Sequence, residues 1–275
     1  MKINLFDKNF AHSIEQDGFD TCTCGRKPSK VEWTRNNFSW SGVTVFTDHF
    51  LREECLNAVE SQYKVGWLQE SPSVHPHIYE DIKKIEDMFD LILTFDKDLL
   101  NRGKKYQRFM VGGSWLADNE WKIYPKTKNV SIIASSKMKT SGHKLRHQIA
   151  RACPQLDLWG RGIRPFDSKL VPLQDYYFSV AIENISYSYY VTEKIIDCFA
   201  TGTVPIYYGC PDIGDIFNID GIITFSNFEE FTKIKFSKQL YRDMMPAIED
   251  NFERAKQYRS TDDHVFDVIS KHIQF

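Results

Sequence analysis

No apolar run in this 275-residue chain approaches the ~20 residues that a helix needs to cross a bilayer, so no membrane span is expected. Excess charge of one sign is missing too. Lys and Arg number 35 against 37 Asp and Glu, a formal net charge of −2, so nothing draws the whole surface to nucleic acid or anionic lipid. Anion binding must therefore be local. The six cysteines make no disulfide framework in a chain of this size. Cys153 and Cys198 fall within apolar helical patterns and read as small buried hydrophobes. Cys22-Thr23-Cys24 lacks the spaced second pair of a metal site and reads as a loop with free thiols. No Walker or dinucleotide glycine fingerprint occurs, which argues against an ATPase or a nicotinamide enzyme. The Met1–Asp7 stretch has charge where a signal peptide needs an apolar core, so the expected location is cytoplasmic.

What is present is alternation. Ile3–Phe6 and Val43–Phe46 read as strands and Phe50–Gln62 as a helix. Tyr63–Leu68 is the next expected strand, Ile78–Met88 a helix and Asp90–Phe95 a strand. Gly112–Lys128, rich in Gly, Trp and Lys, reads as an interdomain connection. A second series follows, with strands at Val130–Ala134, Leu156–Trp159, Tyr177–Ile182, Val204–Tyr208 and Ile222–Phe225. Its helices are Gly142–Cys153, Thr192–Ala200 and several after Phe228. Leu145, Ile149 and Cys153 give the first of these a core stripe. The length suits one large or two modest domains. Alternating strands and helices predict an α/β fold of two Rossmann-like domains facing a cleft, with ligands at the carboxyl ends of the strands.

One residue is electrostatically out of place. Lys194 falls in the first turn of a predicted helix, where the helix dipole disfavours a cation. An anion between the lysine and the free N–H groups of the helix would remove the conflict, and those N–H groups already make a phosphate site. Each residue around it has an ordinary reading: Glu193 as a first-turn acid, Lys194 as a solvated lysine, Tyr190 as a core or rim aromatic, Asn184 as a turn residue. Together on one strand–loop–helix unit, with Thr192 at the N-cap position, they look built to hold a diphosphate. Lys137, Lys139, His143, Lys144 and Arg146 crowd a second strand end, where Arg146 can grip a phosphate bidentately. Glu70, in Glu70-Ser71-Pro72-Ser73 just after a strand, is a candidate general base for an alcohol, or else a loop cap. Asp96-Lys97-Asp98 fits a metal-binding Asp-x-Asp, but helix capping explains it. His75-Pro76-His77 lacks a third ligand, and its proline is expected to fix an extended geometry.

Phe178–Asn184 (FSVAIEN), Tyr190–Lys194 (YVTEK) and Val204–Gly209 (VPIYYG) together resemble the signature of the α-1,3/4-fucosyltransferases, glycosyltransferase family ten. The resemblance runs from about Tyr63 to Phe225, through Arg146 back to Glu70. It implies a GT-B enzyme with an N-terminal acceptor-binding domain, 1–125, and a C-terminal GDP-sugar-binding domain, 126–275. By position, Arg146 and Lys194 would neutralise the diphosphate and Tyr190 would hydrogen-bond to it. Asn184 and Glu193 would bind ribose or the sugar ring, and Glu70 would deprotonate the acceptor. The implied reaction moves fucose from GDP-fucose to a glycan or glycoconjugate hydroxyl with inversion, without a metal or other cofactor. Two departures stand out. Leu68 occupies a place where some bacterial members have a further acid, and Gly112-Gly113-Ser114-Trp115 stands where other members have a different loop. The residues leave open another GDP-sugar, or a catalytically idle sugar-nucleotide or glycan binder.

Overall fold

Runs of Val, Ile, Leu and Phe too short for buried helices become the strands of two parallel sheets, each in its own unit. The structure, a computed structural model, describes residues 1–8 and 27–274. Cys22 and Cys24 lie outside the described residues. The first unit comprises residues 1–111 and 260–275. Its strands are β1 (Lys2–Phe6), β2 (Glu32–Arg35), β3 (Val43–Thr47), β4 (Tyr63–Trp67), β5 (Leu91–Thr94) and β6 (Tyr106–Arg108). They form a six-stranded parallel sheet in the order β2-β1-β3-β4-β5-β6. Helices α1 (Glu53–Asn57), α2 (Pro76–Ile85) and α3 (Lys97–Leu100) join successive strands. Ile3, Leu5, Val43, Val45, Val65, Trp67, Leu91 and Leu93 alternate along their strands, so they share one face of the sheet. The C-terminal helix Thr261–His272 adds Val265 and Ile269 to that core, with Ile273 just beyond it. Asp262 accepts a 2.6 Å hydrogen bond from Trp33 Nε1.

The second unit comprises residues 112–259. Strands β7 (Lys128–Ile133), β8 (Asp157–Trp159), β9 (Tyr176–Ile182), β10 (Val204–Tyr208) and β11 (Ile223–Thr224) form a five-stranded parallel sheet in the order β11-β10-β9-β7-β8. Helices α4 (Ser141–Ala152), α5 (Glu193–Thr201), α6 (Phe228–Lys233), α7 (Lys238–Asp243) and α8 (Met245–Ala255) belong to this unit, and the C-terminal helix of the first is α9. Val130, Ile132, Phe178, Val180, Val204 and Ile206 make one core face, closed by Ile149, Phe231, Tyr241 and Ile248. β9 is the middle strand, so its carboxyl end lies at the centre of the sheet edge from which α4 and α5 leave.

The division of the chain departs from 1–125 and 126–275 in two ways. Residues 112–125 are tied to the second unit: Lys122 N and Tyr124 N donate to Ala200 O and Thr201 O at 3.0 and 3.2 Å. The amphipathic stripe of α9 marks it as a core helix but does not say which sheet it covers, and it covers that of the first unit. The helix expected over Phe50–Gln62 is shorter, forming only Asp48–Phe50 as a 3-10 turn and then α1. Strands β2 and β6 carry too much polarity to read as strands from sequence. Among the described residues, no helix is long and apolar enough to cross a membrane.

Candidate active site

The carboxyl end of β9 delivers Glu183 into the second unit with no exposed surface. Its backbone N–H extends the sheet ladder to Tyr208 O at 2.8 Å, which fixes where the side chain starts. One carboxylate oxygen accepts from Thr192 N at 2.8 Å. The other accepts from Thr192 Oγ1 at 2.6 Å and pairs with Lys194 Nζ at 3.2 Å. Gly209 makes room: a Cβ there would lie 2.5 Å from Glu183 Cγ and from the Tyr207 hydroxyl. Thr192 is the N-cap residue of α5, yet its hydroxyl does not cap the helix. It donates to Glu183 and accepts from Lys194 Nζ at 2.7 Å instead.

In this structure Glu183 already sets a carboxylate beside Lys194. Glu193 lies 3.5 Å from the same ammonium. Burial pulls the Lys194 pKa down, but Glu183 and Glu193 together outweigh it and raise it. Burial would likewise raise the Glu193 carboxyl, but Lys194 and then Lys169 draw it down to about 2. Tyr190 is buried, at 2% exposure, following Tyr189 in the left-handed region at φ 57°. The Asn184 side chain is half-buried and makes no hydrogen bond among the described residues, while its carbonyl accepts from Gly142 N at 3.0 Å.

That last bond joins α4 to the same spot. A Cβ on Gly142 would lie 1.8 Å from Glu183 O, so only glycine lets the helix start sit against the end of β9. One turn on, Arg146 is 7% exposed and donates from Nη2 to Ile182 O at 2.6 Å. That is its one hydrogen bond among the described residues, although a guanidinium has five donors. His143 reports the field there. Burial, then Arg146, Lys137 and Lys194, push its pKa down to about 4. Glu183 and Glu193 act on Arg146, and Arg146 on Lys194, so these residues form one coupled cluster. Two cations, the N-terminus of the twelve-residue α4 and that of α5 converge on one sheet edge. Cations and helix N–H groups at a strand end are the groups from which anion sites are built.

A further acid stands one turn along α5. Asp197 is 1% exposed, and burial raises its carboxyl pKa to about 6. Its Oδ1 accepts from Ser114 Oγ and Trp115 N, both at 2.9 Å, while Oδ2 has no hydrogen bond. Lys169 Nζ lies 3.9 Å from both Asp197 and Glu193. Neither Glu183 nor Asp197 had a role from sequence. A carboxylate placed straight after the apolar run Tyr177–Ile182 was the available signal for Glu183, and an acid inside the otherwise apolar stretch Ile195–Ala200 was the signal for Asp197.

In the first unit, Glu70 follows β4 and is half-buried. Its main chain is pinned by Asp48, whose buried carboxylate accepts from Gln69 N at 2.8 Å and Glu70 N at 3.2 Å, and by Tyr79 Oη, which donates to Glu70 O at 2.6 Å. The Glu70 carboxylate itself has no partner among the described residues. Asp96 caps α3 by accepting from Leu99 N at 2.8 Å. Pro76 opens α2 at its first helical position rather than holding an extended segment. Among the described residues, no group of three or more His, Cys, Asp or Glu is placed to share a metal ion.

Residues 123–262 match the family model described as glycosyltransferase family 10 (fucosyltransferase) C-term. The alpha-(1,3)-fucosyltransferase FucT of Helicobacter pylori is 36% identical over 80 residues, which are 26% of this chain and 17% of that protein. The match thus spans well under two thirds of that relative. Among solved structures, an alpha1,3-fucosyltransferase with GDP aligns over 99% of this chain and 91% of its own, with a TM-score of 0.55 and 18% identity. An alpha1,3-fucosyltransferase with GDP-fucose aligns over 100% of this chain and 91% of its own, with a TM-score of 0.53 and 17% identity. These structures share the fold of the chain, two Rossmann-like α/β units of the GT-B class. With the family match covering just over half of its length, the chain belongs to glycosyltransferase family 10, the fucosyltransferases.

Proposed function

We propose that the chain transfers fucose from GDP-fucose to a hydroxyl of an acceptor glycan, with inversion and an α-1,3/4 linkage. The observation that carries this reading is the convergence of Arg146 and Lys194 on the end of β9, with most of the Arg146 donors uncommitted among the described residues. Arg146 and Lys194 neutralise the diphosphate, and the Tyr190 hydroxyl hydrogen-bonds to it. Asn184, whose amide is unspent, and Glu193, held ionised, bind ribose or the sugar ring. Displacement with oxocarbenium character builds negative charge on the leaving diphosphate. Fixed cations and helix N–H groups stabilise that charge without reorganising. Glu70 takes the proton of the acceptor hydroxyl, its main chain fixed by Asp48 and its carboxylate unencumbered. The second unit is the donor unit and the first the acceptor unit.

Isothermal calorimetry tests the donor site. GDP is expected to bind at micromolar to submillimolar affinity without added metal. Lys194→Ala should lose most of that binding and about 3 kcal/mol of transition-state stabilisation. No GDP binding by the wild-type chain, or binding only with manganese present, overturns the site. A donor panel of GDP-fucose, GDP-mannose and UDP-sugars, scored for hydrolysis and transfer, decides the sugar. Glu70→Gln that keeps near-normal transfer removes Glu70 as the base.

A further inference from the structure

Trp115 is an anomaly of the second unit. Its chain neighbours Ser114 and Leu116 are buried, at 0% and 1% exposure, yet the indole between them is 38% exposed. Tryptophan is among the most buried residues on average, so an open indole held between two buried residues calls for a use. The hold is firm. Asp197 accepts from both Ser114 Oγ and Trp115 N, and Ser114 Oγ in turn accepts from Leu116 N at 3.2 Å. A buried carboxylate is spent on keeping this short loop against α5. The ring is oriented as well, because Lys169 Nζ lies over it, 5.6 Å from its centroid.

The same ammonium is 3.9 Å from Glu193 Oε1. One lysine therefore lies beside both the exposed indole and the acid that the proposed function places against ribose or sugar. We propose that Trp115 is the stacking platform for the pyranose of the sugar nucleotide. The C–H hydrogens on a sugar's apolar face carry slight positive charge, and the indole face is negative, so the two attract while both lose water. Arg146 and Lys194 then set affinity for the diphosphate, and Trp115 sets what the sugar adds. This platform rests on the donor-site reading. It also gives the Gly112-Gly113-Ser114-Trp115 loop, a departure from other family members, a task at the donor rather than at the connection between units.

Calorimetry of GDP and of GDP-fucose against wild type, Trp115→Ala and Trp115→Phe decides it, with thermal melts as the control for folding. GDP affinity should stay within about twofold in both variants. GDP-fucose affinity should fall about tenfold in Trp115→Ala, near the upper end of what one aromatic contact contributes, and Trp115→Phe should recover most of it. Equal weakening of GDP and GDP-fucose overturns the platform, because the loop then serves the nucleotide or the fold. Unchanged GDP-fucose binding overturns it as well. If Trp115→Ala melts early, Trp115→Phe decides: phenylalanine that folds normally but binds GDP-fucose no better than GDP refutes stacking. A wild-type chain that binds GDP but gains nothing from the sugar also refutes the platform and leaves the diphosphate site standing. Failure to bind either ligand defeats the donor site and the platform together.

Discussion

Glu183 is fully buried, so its charge depends on Thr192 and Lys194. Glu183→Gln keeps the shape and removes the charge, leaving Lys194 with Glu193 alone. The expected cost is about 2 kcal/mol, below that of a fully buried broken pair because one partner remains, read as a lower urea midpoint at unchanged m-value. An unchanged midpoint would show that Glu193 and solvent already suffice for Lys194. Asp197 gives the opposite sign. Burial raises its folded carboxyl to about 6 from an ordinary value of 3.8, so the folded state binds the proton more tightly. The resulting stability is fully present below pH 3.8 and is lost as pH rises through about 6. Two pKa units correspond to about 3 kcal/mol. Asp197→Asn cannot titrate, so wild type should lose about that much relative to the variant between pH 4 and 7. Parallel stability curves across that window would show that Lys169 already holds Asp197 ionised.

At the scale of elements, the start of α4 is where the site can be watched. His143 is kept neutral down to about pH 4 by burial and by the field of Arg146, Lys137 and Lys194. Its folded pKa is depressed, so its share of stability is present above about 6.5 and is lost as pH falls toward 4. A diphosphate against Arg146 and Lys194 would cancel part of that field. The His143 pKa, followed by NMR, should then rise on adding GDP, and a value unmoved by saturating GDP would place the ligand elsewhere. The elements themselves were legible wherever they are apolar on both faces, as with β10, which spans Val204–Tyr208 as read from sequence. β2 and β6 were not, and their place explains it: they are the two edges of the six-stranded sheet, where Glu32, Arg35, Gln107 and Arg108 are tolerated. The site divides in the same way. Arg146 and Lys194 are visible as cations near strand ends, but the bonds that reassign Thr192 from helix cap to lysine anchor exist only once Gly209 and Gly142 bring the backbones together.

For the molecule as a whole, chain order and unit membership disagree, and the disagreement has an energetic consequence. The chain leaves the first unit after Val111, completes the second, and returns at Ser260 to lay α9 on the first sheet. Val265, Ile269 and Ile273 are all nearly or fully buried there, against the face made by Ile3, Leu5, Val43 and their neighbours. At roughly 1.5–3 kcal/mol for each such side chain, α9 contributes on the order of 5 kcal/mol, about the whole stability of a small domain. Asp262 adds its hydrogen bond to the Trp33 indole, which would otherwise be buried without a partner. Ending the chain at Arg259 should therefore unfold the first unit, although the deletion is the part of the sequence farthest from β1. The second unit keeps its own core, since none of Val130, Ile132, Phe178, Val180, Val204 or Ile206 touches the deleted residues in that cluster. Hydrogen exchange on the truncated chain should show protection lost across β1, β3, β4 and β5 and retained across β7, β9 and β10. If GDP binds at the proposed donor site around Arg146 and Lys194, its binding should survive the truncation while transfer to an acceptor is lost. Protection that persists in β1 to β5 would mean that the sheet is stable without its C-terminal helix, and α9 would then be a cover rather than part of the core.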